Sequence, residues 1–126
     1  MIQQHFYSSI GANSSTYLPL NRFDKTQIIP TEQDNYFRFE KVHGHVHDMG
    51  AAMQNGVGGH AGLFSTANDV AKLMQMFLQK GTYGGENFIK PQTITAFNTC
   101  YYCEDDNRRG VGFDKPQLEE DGPTCG

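Results

Sequence analysis

The sequence predicts a mainly α-helical chain with long irregular loops, α+β at most. Three observations carry that reading. Residues around Ala67 to Lys80 repeat apolar side chains at helical spacing, Pro91 sits where a second helix would open, and the period-2 alternation of strands is scarce, so fewer than four paired strands are expected. The 126 residues suffice for one domain with a modest core. Hydrophobic residues make up 37% and aromatics 12%, which is globular rather than disordered. There is no Trp, and the mean hydropathy of −0.57 points to a small core for the length.

Ile2 to Ser8 reads as a short amphipathic piece, the tail of a helix already under way, with Met1 as an added start. Turn formers follow in Gly11-Ala12-Asn13-Ser14-Ser15. Thr16-Tyr17-Leu18-Pro19-Leu20 reads as extended, Pro-interrupted chain, and Asn21 to Gln33 as a long surface loop. A short extended piece is expected from Tyr36 to Val42, and one or two helical turns from Met49 to Met53. Gly56, Gly58, Gly59 and Gly62 then break regular structure and suggest close backbone approach or positive φ.

The helix expected over Ala67 to Lys80 has Ser65 and Thr66 as candidate N-caps. Asp69, three residues after Thr66, makes a near capping box. Val70, Leu73, Met74, Phe77 and Leu78 form its inward stripe, Lys72 lies on the opposite face, and Gly81 is the natural C′ residue. Leu73 and Phe77 are therefore expected to be core positions, and Lys72 to be dispensable. Gly84-Gly85 marks a tight turn between Thr82 and Glu86. Phe88 and Ile89 return to the core, and Pro91 is an N1 proline for a helix with Ile94 and Phe97 inward. Gly110-Val111-Gly112-Phe113 is a candidate short strand, and residues 114–126 are expected to fray.

The net charge is −4. Basic residues are scattered, with only Arg108 and Arg109 adjacent, which argues against nucleic acid as a partner. No apolar run approaches the ~20 residues of a membrane span, and Met1-Ile2-Gln3-Gln4-His5 has no signal-peptide character. Of the three cysteines, Cys100-x-x-Cys103 fits a redox pair or half of a zinc site. Cys125 alone cannot complete a ribbon, and the duller alternative is unremarkable or incidentally oxidised thiols.

His43, His45 and His47 alternate, and on a strand they would share a face. With Asp48 or His60 they would then suit zinc or copper. Against that stands a loop of solvated or backbone-bonded imidazoles, since Gly44 interrupts any strand, and no metal is assigned. The Gly56 to Gly62 stretch lacks the Gly-Lys-Ser/Thr of a phosphate loop, so no nucleotide or other cofactor is expected. Neither Gly-x-Ser-x-Gly nor Ser-x-x-Lys occurs. Ser8, Ser14, Ser15 and Ser65 have no lysine three residues on, and no residue is assigned a catalytic role.

Gly59-His60-Ala61-Gly62-Leu63-Phe64-Ser65-Thr66-Ala67-Asn68-Asp69-Val70-Ala71-Lys72 resembles the β-lactamase-related serine hydrolases, a family of class C β-lactamases, penicillin-binding D-alanyl-D-alanine carboxypeptidases and esterases. Gly81-Thr82-Tyr83-Gly84-Gly85 and Lys90-Pro91-Gln92-Thr93 follow in the family's order. His45-Val46-His47-Asp48 with Ala51-Ala52 resembles a segment of the module attached to bacterial family-3-type N-acetylglucosaminidases. Phe6 to Ala12 with Thr16-Tyr17 resembles the segment after the second catalytic motif.

The resemblance implies that residues 1–126 are one partial domain, the helical portion of a β-lactamase/transpeptidase-like fold between the second and third catalytic motifs. The parent would cleave an amide or ester through an acyl-serine. The family's Ser-x-x-Lys, its Tyr-x-Asn-like motif and its Lys-Thr-Gly or His-x-Gly motif match no position here. The resemblance further implies that Gly58, Gly59, His60, Ala61, Gly62 and Leu63 border the substrate cleft. It implies as partner the remainder of the parent domain, or a second copy through exposed former core, and a periplasmic or cell-envelope compartment. The alternative, from another class, is a small metal-binding or protein-interaction domain centred on His43, His45, His47 and the Cys100/Cys103 pair.

Overall fold

The computed structural model describes residues 2–105 and 107–115. The chain divides into two compact units, Met1–Leu73 and Met74–Gly126.

The first unit opens on a short π-helical segment, Gln3–Tyr7, within the Ile2 to Ser8 stretch expected to be a short helical piece. Tyr7, Ile10 and Ala12 are buried. The Thr16–Leu20 stretch is extended only at its start. There Thr16 exchanges backbone hydrogen bonds with Phe64 (both 2.9 Å), and Leu18 then adopts φ +49°. The expected surface loop contains two 3-10 turns, Pro19–Asn21 and Lys25–Gln27. Asp24 caps the second through Thr26 N–H at 2.8 Å. Strands β1 (Glu32–Gln33) and β2 (Lys41–Val42) pair antiparallel with Glu32 opposite Val42.

Between β1 and β2 the chain turns around one carboxylate, so only the end of the Tyr36 to Val42 stretch is strand. Asp34, fully buried, accepts the backbone N–H groups of Tyr36 (3.1 Å), Phe37 (2.9 Å) and Arg38 (3.0 Å), and Arg38 Nε at 3.0 Å. Arg38 in turn donates to the carbonyls of Val46 (2.7 Å) and His47 (2.8 Å) and to Glu32 (3.0 Å). Burial pushes the Asp34 carboxyl pKa up, but the N–H groups of Phe37 and Tyr36 and the Arg38 guanidinium outweigh it. The net value lies well below the usual carboxylate range. A group depressed in the folded state contributes stability above its unfolded pKa, about 3.9 for Asp, and loses that contribution as pH falls through the folded value. Asp34→Asn is therefore expected to flatten the acid limb of unfolding below about pH 4. Circular dichroism against pH reads this out, and an unchanged acid limb would refute it.

Helix α1 (Met49–Met53) lies where one or two helical turns were expected, N-capped by Asp48 accepting from Ala51 N–H at 2.7 Å. Its end is a Schellman motif. Asn55, at φ +59°, donates its N–H to Ala52 O (3.1 Å), and Gly56 donates to Ala51 O (2.8 Å).

Helix α2 (Ala67–Leu78) begins at the expected residue. Thr66 supplies the cap, its Oγ1 accepting Asp69 N–H at 3.3 Å, while Ser65 Oγ pairs with Ser15 Oγ at 2.8 Å. The capping box does not close as expected, because the Asp69 carboxylate is turned toward Ser14 and Ser15.

The inward stripe is also corrected. Asp69 and Met76 are buried, Leu73, Phe77 and Lys72 are half-buried, and Val70, Met74 and Leu78 are 44%, 43% and 79% exposed. Lys72 does not face away: its ammonium donates to Gly11 O and to Asp69 at 3.0 Å. Its removal would strip a buried carboxylate of its cation, so it is not dispensable.

In the second unit the C-terminal end of α2 is another Schellman motif. The left-handed C′ residue is Lys80 (φ +55°) rather than Gly81. Lys80 N–H bonds Phe77 O (3.0 Å), and Gly81 N–H bonds Met76 O (2.8 Å). Strands β3 (Thr82–Tyr83) and β4 (Glu86–Asn87) form a hairpin through Gly84-Gly85, both at positive φ as a type I′ turn requires. Helix α3 (Pro91–Asn98) has Pro91 at N1 as expected. Ile94 is half-buried, but Phe97 is 48% exposed rather than inward.

Phe77 meets Phe113 edge-to-face at 5.0 Å. Residues 110–113 form a turn instead of a strand, with Gly110 N–H on Phe113 O (2.9 Å) and Val111 N–H on Phe97 O (2.7 Å). Cys100 and Cys103 are joined by a disulfide, and a 3-10 turn, Cys103–Asp105, follows. Of the segment expected to fray, residues 116–126 lie outside the described residues. With three α-helices and four two-residue strands paired in two antiparallel sheets among the described residues, the fold is α+β. The strand count exceeds the expectation.

Candidate functional site

The glycine-rich loop between α1 and α2 is anchored at both ends. The α1 Schellman turn fixes Asn55-Gly56, and the Thr16–Phe64 bridge fixes the other end. Between them Gly58 N–H bonds Ala61 O at 3.1 Å, so residues 58–61 make a tight turn. Gly62 sits at φ +111° with its backbone against Gly56. A Cβ there would lie 2.4 Å from Gly56 O, so this position demands glycine.

The turn presents His60. Its Nε2 lies 2.8 Å from Asp48 Oδ1, the same carboxylate that caps α1. The Asp48 pKa is lowered, first by Ala51 N–H and then by His60. A Cβ on Gly58 would come within 3.1 Å of His60 Cε1, and one on Gly50 within 3.6 Å of Nε2. Two glycines thus leave room for the imidazole against its carboxylate. The side chain is 56% exposed. Within the loop Gly58 and Gly62 are buried, Ala61 is half-buried, and Gly59, His60 and Leu63 are exposed.

A second polar cluster ties the start of α2 to the chain's first turns. Asp69 accepts Ser14 N–H (2.6 Å) and Ser15 N–H (3.1 Å), with Lys72 at 3.0 Å. Burial raises the Asp69 pKa, but Lys72 and the two N–H groups bring it below the ordinary value. Sequence reasoning missed this cluster. Its members are 54 and 55 residues apart, and no local pattern announces the pairing.

The histidine run does not converge. His43 Nε2 lies 2.6 Å from Ile28 O, His47 Nδ1 lies 2.8 Å from Glu32, and His45 is exposed. Gly44 at φ +77° breaks the strand geometry that would have aligned them. Among the described residues no three His, Cys, Asp or Glu side chains group as a metal site, so the metal-binding alternative is not favoured. No helix among the described residues is long and apolar enough to cross a membrane.

No protein-family model matches the chain, and no solved structure matches it. Curated proteins do. A protein of Escherichia coli (strain K12) named "Putative D-alanyl-D-alanine carboxypeptidase" is 32% identical over 124 residues, 89% of this chain and 28% of that protein. A protein of the same name from Salmonella agona (strain SL483) is 33% identical over 108 residues, 76% of this chain and 25% of that protein. The chain thus spans 28% or less of the length of these relatives. Along most of its own length it is similar to one part of proteins bearing a carboxypeptidase name, which supports a penicillin-binding or serine-hydrolase-like relationship.

Proposed function

We propose that the chain is a noncatalytic segment of a bacterial serine hydrolase whose parent cleaves an amide or ester, on cell-wall peptide or an ester substrate, through an acyl-serine. The observation that carries this is the 32% identity running through 89% of the chain. In that reading the parent's serine, its lysine base and its third motif would lie outside residues 1–126, where no such motif occurs. In that reading the loop 58–63 borders the substrate cleft, and the Val46-His47-Asp48 segment with Ala51-Ala52 supports the glucosaminidase-attached module as the specific kind.

The exposed Met74, Leu78 and Phe97 of the second unit support a larger domain that covers them, or a second copy where the chain is alone. A cell-envelope or periplasmic compartment belongs to the same proposal. The Cys100–Cys103 disulfide supports it, since disulfides persist in oxidising compartments.

The flanking reading frame tests the parentage: Ser-x-x-Lys upstream and Lys-Thr-Gly or His-x-Gly downstream are expected, and a frame lacking both defeats it. The 126-residue chain by itself is expected to show no saturable hydrolysis of nitrocefin or p-nitrophenyl esters and no labelling by a fluorescent penicillin. Acylation needs a serine with a base in reach, and losing one such member already costs several powers of ten in rate. Four of the described serines have other engagements: Ser65 Oγ pairs with Ser15 Oγ, and Ser8 and Ser9 donate to helical carbonyls. Slow, non-saturating esterolysis by imidazole would survive Ser65→Ala. Saturable turnover lost in a single serine variant would show a site in this chain.

A further inference from the structure

The first unit carries a half-open cavity of about 400 Å³ whose wall combines apolar and polar side chains. Leu18, Val46 and Phe64 supply an apolar surface, and Glu40, His45 and Asn55 reach the same space. Its size falls within the usual range for small-molecule sites, and a few convergent polar groups on an apolar lining are their usual make-up.

Three further features separate this cavity from a packing gap. The side chains of Glu40, His45 and Asn55, all exposed, hold no hydrogen bond or ion pair among the described residues, whereas Thr31 and Arg38 nearby do. Arg38 also lines the space, but its guanidinium is committed to Asp34, Glu32 and the carbonyls of Val46 and His47. Its charge is answered, and Glu40 remains the uncompensated charge on the wall. Finally, Leu18, a non-glycine residue with left-handed backbone (φ +49°), belongs to the lining. Such backbone strain gathers at ligand sites more than elsewhere.

We infer that this cavity is a binding site for a small primary ammonium carrying a short apolar arm, with Glu40 as the charge partner. Asn55 and His45 offer acceptors for the remaining N–H groups, and Leu18, Val46 and Phe64 receive the arm. The chain's net charge of −4 favours cation approach over anion approach. This inference does not depend on the hydrolase reading.

The test is titration of the 126-residue chain with n-butylammonium chloride at low ionic strength, followed by amide chemical shifts. A ligand this small should bind with Kd on the order of millimolar. Saturable shifts are expected at the amides of Gly44, Val46, Asn55 and Gly56, and sodium butyrate should give none. Glu40→Gln, at an exposed side chain, should keep the same spectrum and weaken butylammonium by about tenfold or more. The inference fails if no saturable shift appears up to tens of millimolar, if butyrate binds equally, or if Glu40→Gln binds as tightly as the parent sequence.

Discussion

Gly81→Ala is expected to destabilise the chain by about 2–6 kcal/mol, as the sum of two costs. Gly81 has φ +96°, and an alanine held there stores backbone strain of about 1–3 kcal/mol. The added Cβ would also stand 1.9 Å from Ile89 O and 2.7 Å from Ile89 C, both backbone atoms with no rotamer to escape through. The contact cannot open cheaply. Gly81 O accepts the N–H groups of Phe88 (2.9 Å) and Ile89 (3.1 Å), while Gly81 N–H closes the end of α2 on Met76 O. Displacing one strand of that junction breaks the hairpin closure and the helix stop together, an overpacking cost of about 1–3 kcal/mol. Gly84→Ala is the internal comparison. Gly84 also has positive φ (+60°), but its Cβ would meet nothing within 4 Å, so it should show the strain alone, about 1–2 kcal/mol. Urea unfolding of the two variants decides the matter, and equal effects would mean that the Ile89 contact relaxes freely.

Most of what was legible in the sequence depended on neighbours within four residues. The Thr66 cap, the Pro91 start, the Gly84-Gly85 turn and the short helix at Met49 are local chemistry, and the structure contains each of them. The Asp34 turn is local too. A carboxylate reaching N–H groups two to four residues on is the Asx pattern, and Asp34 before Tyr36-Phe37-Arg38 was the available sign of it. What escaped was long-range or depended on a single φ. Asp69 reads as a helix-start acid, yet it serves Ser14 and Ser15 across the unit. His43, His45 and His47 alternate as a metal face would, yet one left-handed glycine at Gly44 parts them. In the candidate site, the glycine cluster was visible as a place of close backbone approach. The pairing of His60 with Asp48 across it was visible only as one option within a metal set.

Helix α2 shows the same division and sets the last expectation. Apolar spacing identifies a stripe through Val70, Met74 and Leu78, but spacing cannot say whether anything covers it. Here Leu78 is 79% exposed and Met76, off the stripe, is fully buried. Met76→Ala should therefore cost about 2–5 kcal/mol, the range for emptying a buried site of this size. Leu78→Ala should stay within about 0.5 kcal/mol, as at exposed positions. Leu73→Ala and Phe77→Ala, both half-buried, should fall between the two. Denaturant midpoints measured at two protein concentrations separate the possibilities. If Leu78→Ala costs as much as Met76→Ala at both concentrations, the helix is rotated and the sequence stripe is the true core face. If its cost appears only at the higher concentration, a second copy is covering the stripe, and the exposed face is one that the rest of a longer domain would occupy.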